Sequence, residues 1–195
     1  MGSEPGNQFR APIATGVDRP VFLQRLLSAT ARTGELLCDV LVLDGRLRQS
    51  LATVRSLGSR GIQVAVLETS ADVPAFSSRW CRHKFVCPAE EGSQEYLAYL
   101  MQVLDATGAR VVISSSDGTI ELLRQHRWEL EQRATLALAK EPALGIAIDK
   151  KQTLDIARRL GLKVPRGVLV SEGSEVQAAL SEVGLPAVVK PVRSW

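Results

Sequence analysis

From Asp39 onward, short apolar runs alternate with stretches in which apolar residues return every three or four positions. That alternation is the pattern of parallel strands joined by crossover helices. Residues 40–43 (Val-Leu-Val-Leu) make the first predicted strand, which ends in Asp44-Gly45. Leu47, Leu51, Val54 and Leu57 then fall on one helical stripe that stops at the glycines of 58–61. A second strand is predicted over 62–67, followed by a polar loop holding Pro74 and a short third strand over 84–87 closed by Pro88. Ser93 is placed to cap the next helix, where Leu97, Leu100, Met101 and Leu104 repeat before Gly108. A fourth strand over 111–114 leads through Ser115-Ser116-Asp117-Gly118 into a helix over 119–132, and 135–139 gives a fifth strand. The fold class this predicts for residues 38–140 is α/β, a small doubly wound, Rossmann-like parallel sheet.

Both flanks read differently. Residues 1–19 are rich in Gly, Pro, Ser and Asn without periodicity and are expected to form a flexible leader. Residues 20–37 carry Val21, Leu23, Leu26, Leu27 and Leu36 near helical spacing, which predicts a short amphipathic helix. A second unit, 141–195, starts near Pro142. There Asp149-Lys150-Lys151 opens a helix with Leu154, Ala157 and Leu160 on one face, stopped by Gly161 and Pro165. A strand over 167–170, a helix capped around Ser174 and ended by Gly184, and a strand over 187–189 complete the expected order.

Composition narrows the function classes. With 45% hydrophobic and 23% charged residues over 195 positions, the chain can bury one good core and part of a second. Its net charge of +3 is small and its basic residues are dispersed, so no nucleic-acid partner is expected. No apolar run approaches the ~20 residues that span a bilayer, and the start lacks a secretion-signal pattern, so no membrane partner and a cytoplasmic location are expected. Cys38, Cys81 and Cys87 form neither an even set nor a Cys-x-x-Cys pair, which predicts reduced thiols. Cys81, His83 and Cys87 lie close in sequence but lack a fourth ligand, so a zinc site is not expected and no metal ligand is assigned.

The chemistry concentrates in the second unit. Asp149-Lys150 and Ala187-Val-Val-Lys190-Pro191 are separated by one helix ending in Gly-Leu-Lys-Val-Pro165 and another ending in Gly-Leu-Pro186. A lysine closing an apolar strand must carry its ammonium into a polar site or lose its charge, and a phosphate chain is a suitable anion. Asp149 equally suits the cap of its helix, where a carboxylate accepts backbone N–H bonds. In the first unit, ligands of an open parallel sheet sit beyond the carboxyl ends of strands. That placement makes Asp44, Gly45, Glu68, Ser115, Ser116, Asp117 and Thr119 the candidate substrate contacts. A plain turn at Asp44-Gly45, and helix capping by Ser116 or Asp117, account for those residues as well. Asp44-Gly-Arg-Leu-Arg48 contains no Gly-x-Gly-x-x-Gly, which argues against a nicotinamide-binding turn even though Glu68 closes the second strand.

The ordered pieces Asp149-Lys150, the Gly-x-x-x-Pro break and Pro186-Ala-Val-Val-Lys190-Pro191 resemble the start of the ATP-grasp fold. Residues 38–140, with local strings such as Leu43-Asp-Gly45 and Ser78-Arg-Trp-Cys81-Arg, resemble the pre-ATP-grasp domain that precedes it. The resemblance implies a pre-ATP-grasp domain followed by a truncated ATP-grasp A subdomain. It further implies an ATP-dependent ligase that joins small-molecule carboxylates to amines or thiols through an acylphosphate. Lys150 and Lys190 would contact the ATP phosphates, with Lys151 the neighbouring alternative to Lys150. Magnesium would be held by residues of the later family pattern, beyond this chain, and a homodimer is compatible with the resemblance. No catalytic residue is assigned within the 195 residues, which are expected to be inactive alone; a non-catalytic metabolite- or partner-binding module is the alternative.

Overall fold

The computed structural model describes residues 38–193. The leader and the helix predicted over 20–37 lie outside the described residues. Five parallel strands form the sheet: β1 (Val40–Val42), β2 (Val64–Glu68), β3 (Cys81–Val86), β4 (Val111–Ile113) and β5 (Thr135–Leu136), in the spatial order β3-β2-β1-β4-β5. Helix α1 (Arg48–Gly58) links β1 to β2, and α2 (Gln94–Thr107) links β3 back to β4. Between β4 and β5 run α3 (Asp117–Gln125) and α4 (Arg127–Glu131). Beyond the sheet lie α5 (Ala143–Ile148), α6 (Lys150–Arg159) and α7 (Val176–Val183).

Strand alternation sends side chains to two cores. Val40, Val42, Val64 and Val66 pack with Val54 of α1 and with Val73, Ala75 and Phe76 around a one-turn 3₁₀ helix, Pro74–Ser77. Leu41, Leu43, Ala65 and Leu67 point the other way, into a larger core with α2, α3 and α4. The buried positions of α1 are Ser50, Val54 and Gly58, one per helical turn, and Gly58 lies so close to Trp80 that a Cβ there would collide with the indole side chain. Ser93 caps α2 by accepting the Tyr96 N–H at 3.1 Å, and Gly108 closes it at φ 65. No described helix is long and apolar enough to cross a membrane.

Several elements differ from the sequence expectation. Strand β3 starts at Cys81 instead of 84, and a register shift against β2 between Val64/Ala65 skips Arg82. That bulge puts Cys81 in the α1-side core while Phe85 and Cys87 enter the opposite one. The two thiols are thus separated by the sheet. Burial pushes the Cys81 thiol up to about 11 and that of Cys38, despite hydrogen bonds that favour the thiolate, also up to about 11. The helix expected over 119–132 breaks at His126, where φ −106 and ψ 21 leave the helical range, and the turn lets Leu130 share the core with Leu122 and Leu123. Helix α5 was not expected, and β5 is shorter than its apolar run.

The two strands expected in the second unit do not form. Residues 167–170 and 187–189 have no strand assignment, and neither stretch pairs with a strand among the described residues. Without a neighbour to complete the backbone hydrogen bonds, an apolar run has no reason to be a strand. Its side chains stay in solvent, with Val188 79% and Val189 96% exposed. Gly58→Val is expected to lower stability by about 2 kcal/mol through the clash with Trp80. A denaturant titration should show a reduced midpoint at unchanged slope, whereas Gly61→Val, with no atom within 4 Å of its Cβ position, should show only the smaller penalty of its φ of 83.

Candidate functional site

Strand β1 sits between β2 and β4, and the chain winds away from it in opposite directions on the two sides. Beyond the carboxyl ends of β1 and β4 the connecting loops therefore separate, leaving the crevice where open parallel sheets receive ligands. Asp44 stands in it, 2% exposed, with φ 60. A short polar side chain tolerates this left-handed conformation better than an apolar one. Its carboxylate accepts hydrogen bonds from the Ser115 N–H at 2.7 Å, the Ser116 N–H at 2.8 Å, the Ser114 hydroxyl at 3.0 Å and the Thr119 hydroxyl at 2.9 Å. The hydroxyls of Ser114 and Thr119 also touch each other. Gly45 follows because a Cβ there would come within 2.9 Å of Val66 Cγ1 and 3.3 Å of Val73 Cγ2.

A second carboxylate closes β2. Glu68 is 2% exposed and accepts the Thr69 N–H at 2.7 Å, the Arg46 N–H at 3.0 Å and the Arg46 guanidinium at 3.1 Å. Burial pushes the Glu68 carboxyl up, but the N–H groups of Thr69 and Arg46, the guanidinium charge and the Thr69 hydroxyl outweigh it, leaving the group below its ordinary 4.5. Arg46 reaches on to Glu91 at 2.5 Å, and Glu91 accepts the Ser116 hydroxyl at 3.0 Å. The loops after β1, β2, β3 and β4 are joined by this chain of polar contacts.

Of the sequence-derived contacts, Asp44, Glu68, Ser115, Ser116 and Thr119 converge at this edge, and Gly45 forms its floor. Asp117 is the exposed first residue of α3, where its charge suits the helix dipole. Sequence reasoning missed Arg46, Glu91 and Ser114. Arg46 stands in the Asp44-Gly-Arg string, next to a residue that the strand end does mark; Glu91 sits in a polar loop with no local signal.

In the second unit, Asp149 caps α6 by accepting the Gln152 N–H at 2.9 Å, as its position before Lys150 suggested. Lys150 is the first residue of that helix, and its N–H donates to the Val192 carbonyl at 3.1 Å. Lys190 is exposed and stands two residues before Val192, so the stretch that carries it runs beside the start of α6. The premise that Lys190 ends a buried strand is corrected by the same geometry. Lys151 instead pairs along the helix with Asp155 at 2.8 Å. Among the described residues no group of three or more His, Cys, Asp or Glu side chains is arranged to hold a metal ion.

No protein-family model matches the chain. Solved structures do share its fold. The biotin carboxylase domain of a single-chain bacterial carboxylase superposes with a TM-score of 0.55 at 19% identity, over 73% of this chain and 33% of that one. The biotin carboxylase domain dimer of Hydrogenobacter thermophilus 2-oxoglutarate carboxylase, determined with MgADP, ADP and bicarbonate, gives 0.54 at 15% identity over 78% and 34%. Biotin carboxylase from Campylobacter jejuni, in a β-γ-ATP complex, gives 0.54 at 15% over 76% and 34%. The chain thus spans about a third of the length of the structures it matches, and its five-stranded parallel sheet has the fold of the N-terminal parts of these ATP-grasp enzymes.

Asp44→Asn is expected to cost at least about 2 kcal/mol, because an amide group is set against donors that now share one carboxylate; equilibrium unfolding in urea measures it. Glu68 supplies the pH dependence. Since its folded value lies below its ordinary 4.5, its contribution is complete above that pH and is lost as pH falls through the folded value. Urea midpoints from about pH 6 to about pH 3 should therefore fall less steeply in Glu68→Gln than in the unsubstituted protein.

Proposed function

We propose that this chain is the N-terminal portion of an ATP-dependent ligase that activates a carboxylate as an acylphosphate and passes the acyl group to an amine or thiol. A carboxylate oxygen attacks the γ-phosphorus and ADP leaves; the amine or thiol then attacks the acyl carbon and phosphate leaves. Lys150 and Lys190 are the residues of this chain that hold the phosphates, their ammonium charges offsetting the negative charge that has to be brought close to the attacking carboxylate. Magnesium, when bound, would neutralise charge on the same phosphates. The described residues offer no cluster of three or more His, Cys, Asp or Glu suited to hold it.

One observation carries the reading: the Lys150 N–H donates to the Val192 carbonyl, which sets the chain two residues after Lys190 against the opening of α6. The polar edge of the first unit is the reading's second half. Asp44 and Glu68, engaged internally, shape the loops, and Gly45 and Thr119 lie buried beneath them, while Ser115, Ser116 and Asp117 at the rim form the surface offered to the small-molecule carboxylate or amine.

Because the chain supplies about a third of the length of the matched enzymes, ATP binding by it is expected to be weak. Titrated ATP should shift backbone resonances around Lys150 and Lys190 in nuclear magnetic resonance spectra, and Lys150→Ala/Lys190→Ala should abolish those shifts. Micromolar affinity that survives Lys190→Ala would overturn the assignment.

A further inference from the structure

We infer that Asp149 is a positioning residue which, through Arg193, holds the Lys190 stretch against the start of α6 and so brings Lys150 and Lys190 to one place. The inference deepens the nucleotide reading and rests on it for the meaning of that place, but the tie itself is a property of the free protein.

Asp149 has two tasks with separable chemistry. One oxygen accepts the Gln152 N–H at 2.9 Å, the ordinary work of a helix cap. The other accepts the Gln152 side-chain amide at 3.2 Å and faces Arg193 Nε at 3.6 Å, an ion pair rather than a hydrogen bond. Although Asp149 belongs to the sparsely packed second unit, it is only 7% exposed. Its backbone is fixed from the other side as well, its N–H donating to the Ile146 carbonyl at 3.2 Å, and the Thr153 hydroxyl donates to that carbonyl at 2.7 Å. A fixed carboxylate can therefore organise a segment that is not fixed.

That segment needs organising. Residues 185–191 are exposed and belong to no strand, so neither apolar packing nor a sheet holds Lys190 in place. Contact resumes at Val192 and Arg193: the Val192 carbonyl takes the Lys150 N–H, and Arg193 meets Asp149. Lys190 lies two residues upstream, within about 7 Å of chain. The first N–H groups of a helix have no partner within it, so the Lys150 amide depends on Val192 for protection from solvent exchange. It is a direct reporter of the tie.

The test exploits the fact that Asn caps a helix about as well as Asp but carries no charge. Asp149→Asn and Arg193→Gln are each expected to speed exchange of the Lys150 amide by about tenfold or more, while the Thr153 amide, bonded to the Asp149 carbonyl, keeps its protection. Arg193→Lys, which retains the cation, should restore much of the Lys150 protection. Unchanged Lys150 exchange in both Asp149→Asn and Arg193→Gln overturns the inference. So does equal loss at Lys150 and Thr153, which would make Asp149 a cap and nothing more. Repeating the measurement with ATP separates the two ideas: if the tie is lost in Arg193→Gln yet ATP-induced shifts at Lys150 and Lys190 are undiminished, Asp149 positions the stretch as inferred and the shared phosphate site fails.

Discussion

A carboxylate drawn out of water at the joint between two halves of a sheet must be met on every side by donors, and Asp44 is met in this way. Its oxygens collect two backbone N–H groups from the turn after β4 and hydroxyls from Ser114 and Thr119, so the end of β1 is tied to the start of α3. An unpaired buried charge costs several kcal/mol, which makes the arrangement close to all or none. Much else follows from it. The left-handed backbone at Asp44 sets the direction in which α1 leaves the strand, and Gly45 has to be small because the chain then passes hard against Val66 and Val73. Arg46, next along, is aimed by that turn at Glu68 and Glu91.

How much of this could be read from the chain depends on the range of the forces involved. Where local pattern and packing agree, sequence and structure coincide: the Val-Leu-Val-Leu run of β1, the stripe on α1, and Ser93 and Gly108 at the ends of α2 are each specified by residues within a few positions. Asp44, Glu68, Ser116 and Thr119 were found as edge residues because the ends of strands are visible in sequence. Their partners were not. Glu91 meets Arg46 across 45 positions and Ser116 across 25, and nothing near Glu91 announces either contact. The bulge opposite Val64/Ala65 is invisible for the same reason, since it is a property of pairing and not of β3 alone.

The second unit shows the limit from the other side. Val168, Leu169 and Val170, and Val188 and Val189, have the composition of strands, yet a strand is defined by a neighbour as much as by its own residues. With none among the described residues, the runs belong to no strand. Besides the buried Leu144, the unit is ordered by polar contacts: Arg124 to Glu141 at 2.5 Å, Glu141 to the Gly145 N–H at 3.1 Å, and Asp149 at the start of α6. These are weaker than a core and more easily altered by charge than by volume.

Strand β3 carries one further implication. Among the described residues it is the last strand on its side of the sheet. Arg82 and Lys84 are exposed along it, and the bulge at Arg82 reverses the face to which every later side chain of the strand is sent. The irregularity therefore sets the thiol chemistry of the strand: straightening it would turn Cys81 to the face that Phe85 and Cys87 already occupy and bring its sulfur to their side of the sheet.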